Sequence, residues 1–222
     1  MIKAKNIPDA CFQAWYEVIK NGRKFKIDDG SFAGSIRIEL DFLHIHIDDP
    51  SYGSGTQDII PAMPEGSDIV PPITLEYLYG SGKYAYCLLD DEKHENEAYT
   101  YGYRLRNPID QISYVINILK KTPRTNQMVL RFSRPEDITS DDPPCLTSIF
   151  CRVQDKRLNF HIYFRSNDMW SGFPANMAAI EFLQKTMAME IGIDQGSFDY
   201  TCSGAHIYDY AEGIVTHRIG GV

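Results

Sequence analysis

Cys145 closes the run Asp142-Pro143-Pro144-Cys145, and a thiol in that place has the makings of a nucleophile. Two prolines fix two successive φ angles and restrict the residue before each, so the sulfur is presented from a stiff approach. Twenty residues on stand Arg165 and Ser166, a guanidinium and a hydroxyl. Between them run two β-rich segments, Leu146 to Val153 and Arg157 to Phe164, joined by Gln154-Asp155-Lys156. A short polar connection between such segments predicts an antiparallel hairpin. A hairpin returns its far end to its start, so the thiol and the guanidinium are expected at one end of one sheet. A cysteine beside a fixed positive charge is partly ionised near neutral pH and attacks electron-poor carbon. A lone buried cysteine is commoner than a catalytic one, but Asn176 and His206 accompany this one, whereas Cys151 and Cys202 lack such company.

The elements that hold these residues begin with Pro8 to Lys20, where Cys11, Trp15, Val18 and Ile19 recur at helical spacing behind a proline, which predicts a core-facing helix. The stretch NGRKFKIDDGSFAG after it is rich in Gly and Asp and predicts loop and turn. Ser35 to Leu40 and Phe42 to Asp48 alternate as half-buried strands do, with His44 and His46 on one face. No further ligands stand at a diagnostic spacing, so the pair reads as ordinary strand positions and not as a metal site. Pro50 to Pro72 is a long Gly/Pro/Ser connection, Ile73 to Leu89 has no clear period, and DDEKHENE is a solvated charge run. Asn107-Pro108 is expected to cap a helix through Lys121 that buries Ile109, Ile112, Val115, Ile116 and Leu119. Met177 to Ile191 is apolar enough for a long buried helix, with Asn176 at its start in a capping position. The fold class that follows is α/β in the α+β sense: a mixed, mostly antiparallel sheet packed against that long helix, in one domain over residues 1–222.

A net charge of −8 repels phosphate backbones, so no nucleic acid partner is expected, although a local basic pocket for one phosphate is compatible with it. No apolar run approaches the roughly eighteen residues of a spanning helix, and the start MIKAKNIPDA lacks a signal-peptide core. A cytoplasmic protein without membrane contact is expected. The five cysteines are odd in number and form no CxxC pair, so reduced thiols are expected and zinc is not.

The segments PPC, RSND, GFPAN and GAHIY, in that order, resemble the thymidylate synthase family, most of all its short methanogen-type archaeal members. The resemblance is clear from about Tyr101 to Tyr210. It implies the family fold and a methyltransferase that converts dUMP to dTMP. The co-substrate it implies is a reduced pterin one-carbon carrier, methylenetetrahydrofolate or one like methylenetetrahydromethanopterin, with no metal. It implies Cys145 as the nucleophile at uracil C6 and Tyr101, of the Tyr101-Gly102 pair, as the residue that helps move the C5 proton, with Tyr103 easily confused for it. Arg23, Arg165 and Ser166 are implied at the phosphate, His206 and Tyr208 at the ribose hydroxyl, and Asp168 and Gly172 at the pterin. Arg23 is as readily an exposed loop arginine, Asp168 a turn cap and Gly172 a turn residue. Asn176 would read the base, because a side-chain amide accepts from N3–H while donating to O4; a carboxylate there suits cytosine, as in the related cytidylate hydroxymethylases.

The chain also departs from the family pattern. Asn126 and Gln127 stand where most members carry two arginines that reach the partner subunit's phosphate site, with Arg124 nearby. The implied homodimer is therefore open to a monomeric alternative. The sequence ends at Val222, where familiar members continue and close over the carrier, which leaves the carrier open between methylenetetrahydrofolate and a different reduced pterin. The family's general-acid glutamate has no assigned counterpart, and Glu76 stays outside the catalytic set. Two other activities fit the same residues: C5-hydroxymethylation, with water replacing hydride, and nucleotide sensing without turnover.

Overall fold

Strands run over Leu146–Gln154 and Arg157–Phe164, and Asp155 and Lys156 turn between them with φ of 52° and 60°. Left-handed conformations at both central residues belong to a two-residue type I′ turn, whose twist matches that of paired strands. The hairpin expected behind Cys145 is thus present. The computed structural model describes residues 1–28, 32–51, 59–63, 71–93, 95 and 97–221. Most of the connection from Pro50 to Pro72 lies outside the described residues, as do Asp29 to Ser31 of the expected loop and His94 and Asn96 of the charge run.

In chain order the strands are β1 (Ile2–Ala4), β2 (Arg23–Lys26), β3 (Ile36–Leu40), β4 (Leu43–Ile47), β5 (Val129–Arg131), β6 (Leu146–Gln154), β7 (Arg157–Phe164), β8 (Asn167–Asp168), β9 (Asp194–Cys202) and β10 (Ala205–Tyr208). The helices are α1 (Ile7–Asn21), α2 (Leu75–Tyr79), α3 (Tyr101–Arg106), α4 (Gln111–Lys121), α5 (Gly172–Ile191) and α6 (Asp209–Arg218). Six strands form one sheet in the order β1-β4-β9-β7-β6-β5, and four form a second in the order β2-β3-β10-β8. Antiparallel pairs outnumber parallel ones, which are β1 with β4, β7 with β9 and β8 with β10. This is the mixed, mostly antiparallel α+β arrangement expected.

Alternation along the strands sets the core. Leu158, Phe160, Ile162 and Phe164 of β7 and Phe198, Tyr200 and Cys202 of β9 point inward, and α5 lies over them. A helix buried on most of its circumference must be apolar nearly all round. In α5, Phe173, Met177, Ile180, Leu183 and Met187 are all buried, each contributing about 1.5–3 kcal/mol relative to exposure. On the other face of the six-stranded sheet, His46 and Asp199 bond at 2.8 Å, with His44 and His161 beside the same carboxylate at 3.6 and 3.7 Å. Among the described residues no group of three or more His, Cys, Asp or Glu is arranged to hold a metal ion, and none of the helices is long and apolar enough to cross a membrane. All five thiols are free.

Helix α1 is capped by the Asn6 side chain, which accepts from the Asp9 amide, and it buries Cys11, Trp15 and Val18 as the spacing predicts. The Trp15 indole is fully buried and donates to the Met169 carbonyl at 2.6 Å, which pins the turn between β8 and α5. Trp15→Phe leaves that carbonyl buried without its partner, so denaturant unfolding should show a loss of about 1–3 kcal/mol in stability.

Three boundaries differ from the sequence expectation. Arg23–Lys26 is a strand and not a loop, because β3 pairs with it antiparallel from Arg23↔Glu39 to Lys26↔Ile36. Strand pairing at long range outweighs local composition. The segment from Tyr101 is itself a helix under a Thr100 cap, so the next helix begins at Gln111 under an Asp110 cap, leaving Ile109 outside it and 64% exposed. Helix α5 begins at Gly172, which moves Asn176 from a capping position into the helix. Pro174 falls in the first turn, where its missing N–H costs nothing.

Candidate active site

The hairpin brings Arg165 back to Cys145, and the Arg165 amide donates to the Cys145 carbonyl at 2.9 Å. The Arg165 side chain reaches the proline run as well, donating from Nη2 to the Pro143 carbonyl at 2.6 Å and from Nε to Pro144 at 3.2 Å. One guanidinium therefore braces the backbone that presents the sulfur. Beyond Ser166, strand β8 leads into a turn closed by Asp168, whose carboxylate accepts from the Trp170 amide, the Ser171 amide and the Ser171 hydroxyl. That turn leads into α5, which carries Gly172 and Asn176. The second sheet supplies the opposite wall through His206 and Tyr208 of β10.

Between these elements lies a cavity of 550 Å³, within the range of small-molecule sites. Tyr101, Cys145, Arg165, Ser166, Asp168, Gly172, Asn176, His206 and Tyr208 all line it. Arg23 does not. It sits on the edge strand β2 with its side chain 84% exposed, 3.9 Å from Asp41. Tyr103 lines a separate cavity with Arg104 and Asp137, so of the two tyrosines only Tyr101 faces the thiol. Glu76 is exposed and accepts from the Ser81 amide at 2.9 Å; no glutamate is among the described residues lining the cavity, where the carboxylates are Asp141, Asp142 and Asp168. Arg124, Asn126 and Gln127 lie exposed ahead of β5. A larger groove of 710 Å³ between β1, α1 and the end of α6 has no thiol among the described residues that line it, so the chemistry points to the smaller cavity.

Arg37, Tyr84 and Asn167 are among the lining residues that escaped the sequence reading. Arg37 on β3 stands opposite Tyr208, pairs with Glu39 at 3.0 Å and stacks over Phe25, while its Nε has no hydrogen-bond partner among the described residues. Tyr84 and Asn167 both bond the Asn176 amide. The register between β3 and β10 brings in Arg37 and the approach of the Tyr84 turn to α5 brings in Tyr84, neither with a local sequence signal, whereas Asn167 lies within the RSND segment.

The electrostatics refine the expected chemistry. Burial pushes the Cys145 thiol above its ordinary value; Arg165 opposes this and Asp142 adds to it. The guanidinium alone suggested an ionised thiol, but removal of water from around the sulfur outweighs its charge. Deeper burial pushes Cys87 to about 12 and Cys202 to about 11. Burial together with Tyr99 also raises Tyr101, so its phenol stays protonated, with its oxygen accepting from the Leu146 amide at 3.2 Å. His206 is shifted down, chiefly by burial, and its Nδ1 lies 2.9 Å from the Gly204 carbonyl. A neutral ring with the proton on Nδ1 leaves Nε2 as an acceptor, and that atom is buried with no hydrogen-bond partner among the described residues. It is set to receive a hydroxyl. Alkylation of Cys145 by iodoacetamide should accelerate with pH around a midpoint above that of a free thiol, because the thiolate reacts. Asp142→Asn should lower the midpoint and Arg165→Gln should raise it; unchanged midpoints in stopped-flow titrations refute this balance.

A neighbouring recess of 430 Å³ shares Tyr84, Ser171 and Gly172 with the main cavity and adds Ile73, Thr74, Tyr77 and Ala175. Tyr77 and Tyr84 stack at 5.2 Å, which gives the recess an aromatic wall suited to a flat ring.

The sequence profile of the family described as thymidylate synthase matches residues 81–218, more than half of the chain. Proteins provisionally named thymidylate synthase from Methanosarcina mazei and Methanosarcina barkeri are each 27% identical to the chain, and one from Methanosarcina acetivorans is 26% identical. Each alignment covers all of this chain and 95% of the relative.

Proposed function

Because this chain belongs to the thymidylate synthase family, we propose that it methylates C5 of dUMP to give dTMP, with Cys145 adding to C6 and a reduced pterin as one-carbon donor. The observation that carries this reading is the shared cavity of Cys145, Arg165 and Asn176. A nucleophile, a phosphate-binding cation and a base-reading amide have no common structural purpose in an unliganded core.

Arg165, Ser166 and Arg37 hold the phosphate, the guanidinium forks matching its oxygens. His206 Nε2 accepts from the ribose hydroxyl, with Tyr208 beside it at 4.8 Å between rings. The Cys145 sulfur gives an electron pair to C6, and the C5–C6 π pair moves toward C5 and O4. Asn176 Nδ2 donates to O4 and stabilises that charge. C5 then takes the one-carbon unit and loses its proton by way of Tyr101, whose neutral hydroxyl both accepts and donates. The electron pair from that C–H bond breaks the bond between the methylene and its carrier, and hydride added to the exocyclic methylene pushes Cys145 out and restores the ring double bond. The carrier supplies the one-carbon unit and the hydride, and its ring fits the recess walled by Tyr77, Tyr84 and Gly172. Asp168 meets it through the lone pairs its cap leaves free.

The same reading includes a cytoplasmic enzyme with no nucleic acid or membrane partner, paired with a second copy through the outer face of the six-stranded sheet. There Phe150 and Tyr163 form an exposed aromatic pair, 37% and 44% exposed. Phe150→Glu should turn a dimer into a monomer in sedimentation velocity; a wild-type monomer rejects the pairing.

The test is release of tritium from C5-labelled dUMP with tetrahydrofolate and tetrahydromethanopterin carriers side by side, with the product identified by mass. A 5-hydroxymethyl product replaces methylation by hydroxymethylation. Bound dUMP without release from either carrier turns the protein into a nucleotide sensor.

A further inference from the structure

We propose that Asn167 is a positioning residue for base specificity: it fixes which end of the Asn176 amide faces which edge of the pyrimidine, so that uracil is read and cytosine refused. This rests on the dUMP reading above and identifies what enforces it. An asparagine alone is ambiguous, because exchanging its oxygen and nitrogen converts a uracil reader into a cytosine reader. Something must hold the amide one way round.

In this cavity Asn176 Nδ2 donates to Asn167 Oδ1 at 3.1 Å, and Asn176 Oδ1 accepts from the Tyr84 hydroxyl at 2.8 Å. One N–H and one lone pair remain for the base, donating to O4 and accepting from N3–H. Cytosine offers an acceptor at N3 and a donor at N4, and needs the reverse. Tyr84 cannot forbid the reversal, because a hydroxyl serves as donor or acceptor. Asn167 can, because reversal sets the Asn176 oxygen against the Asn167 oxygen.

Asn167 is itself prevented from turning. It is 4% exposed, and its Nδ2 donates to the Tyr200 hydroxyl at 3.1 Å. Its Oδ1 lies against Gly172, the first residue of the twenty-residue helix α5, so close that a Cβ there would meet it at 2.8 Å. The positive end of the helix dipole favours an oxygen in that place over an amide N–H₂. The polarity thus runs from the helix terminus through Asn167 to Asn176.

The test compares dissociation constants for dUMP and dCMP by calorimetry, with folding of each variant checked by circular dichroism. Wild type should favour dUMP by about a hundredfold or more. Asn167→Leu and Asn167→Ala should cut that ratio by about tenfold or more, since a mispaired buried group no longer opposes reversal. Asn167→Asp keeps an acceptor toward Asn176 Nδ2 and should hold the ratio within about threefold. A purely structural role lowers both affinities together and leaves the ratio alone. An unchanged ratio in a folded Leu or Ala variant, or an equal collapse in the Asp variant, overturns the proposal. Should the Leu variant fail to fold, the Ala variant decides. A wild type that binds neither nucleotide, or binds both alike, instead removes the uracil assignment on which the proposal stands.

Discussion

Cys145→Ser should abolish tritium release from C5-labelled dUMP, lowering the rate by at least about a thousandfold while leaving dUMP affinity within a few-fold of wild type. Serine nearly copies the shape of cysteine, so the proline approach and the bonds from Arg165 to Pro143 and Pro144 persist. What is lost is a sulfur able to ionise. A serine hydroxyl beside the same guanidinium stays protonated and is too poor a nucleophile for C6. Calorimetry and the exchange assay together separate binding from chemistry. Turnover retained in this variant would remove Cys145 as the attacking group, and loss of binding as well as turnover would mean that the substitution had disturbed the site and not only its nucleophile.

The second large effect is expected at Asn176→Asp. A carboxylate accepts at both oxygens, so it opposes O4 of uracil and gains nothing from N3–H beyond what the amide already had, whereas it accepts from the N4 amino group of cytosine. Two mispaired groups, at about 1–3 kcal/mol each, predict a fall in kcat/KM for dUMP of roughly 10²–10³-fold. Binding of dCMP should strengthen relative to dUMP. The same substitution places a carboxylate opposite Asn167 Oδ1, now 3.1 Å from Asn176 Nδ2, so part of the penalty falls on the unliganded protein and a lower melting temperature accompanies the switch. Steady-state kinetics with both nucleotides check it; an unaltered preference for dUMP would show that Asn176 does not read the base.

Deletion of the phosphate grip is harder to isolate, because Arg165 has two tasks. It faces the cavity and also braces Pro143 and Pro144. Among the described residues Arg37 has no such backbone duty and its Nε has no partner, which makes it the cleaner probe of the proposed phosphate binding.

The hairpin around Asp155-Lys156, the face of α1 that buries Trp15, and the existence of a long apolar helix before Ile191 were all available from residue order, because each depends on periodicity or on turn residues within a few positions. Motif order was enough to join Cys145, Arg165, Asn176 and His206 as candidates. Pairing with distant strands was not available. Arg23 and its neighbours became a strand because β3 runs alongside, and Arg37 entered the cavity wall because the same strand pairs with β10. Asn167 acquired its place from the helix terminus behind it and from Tyr200 on a strand thirty-three residues away. Even the state of the thiol turned on three dimensions: a neighbouring guanidinium is visible in a string of letters, but the water removed from around a sulfur is not. Local order specifies turns, helical faces and the chemical types present, whereas register and desolvation are properties of surfaces that exist only after distant segments have met.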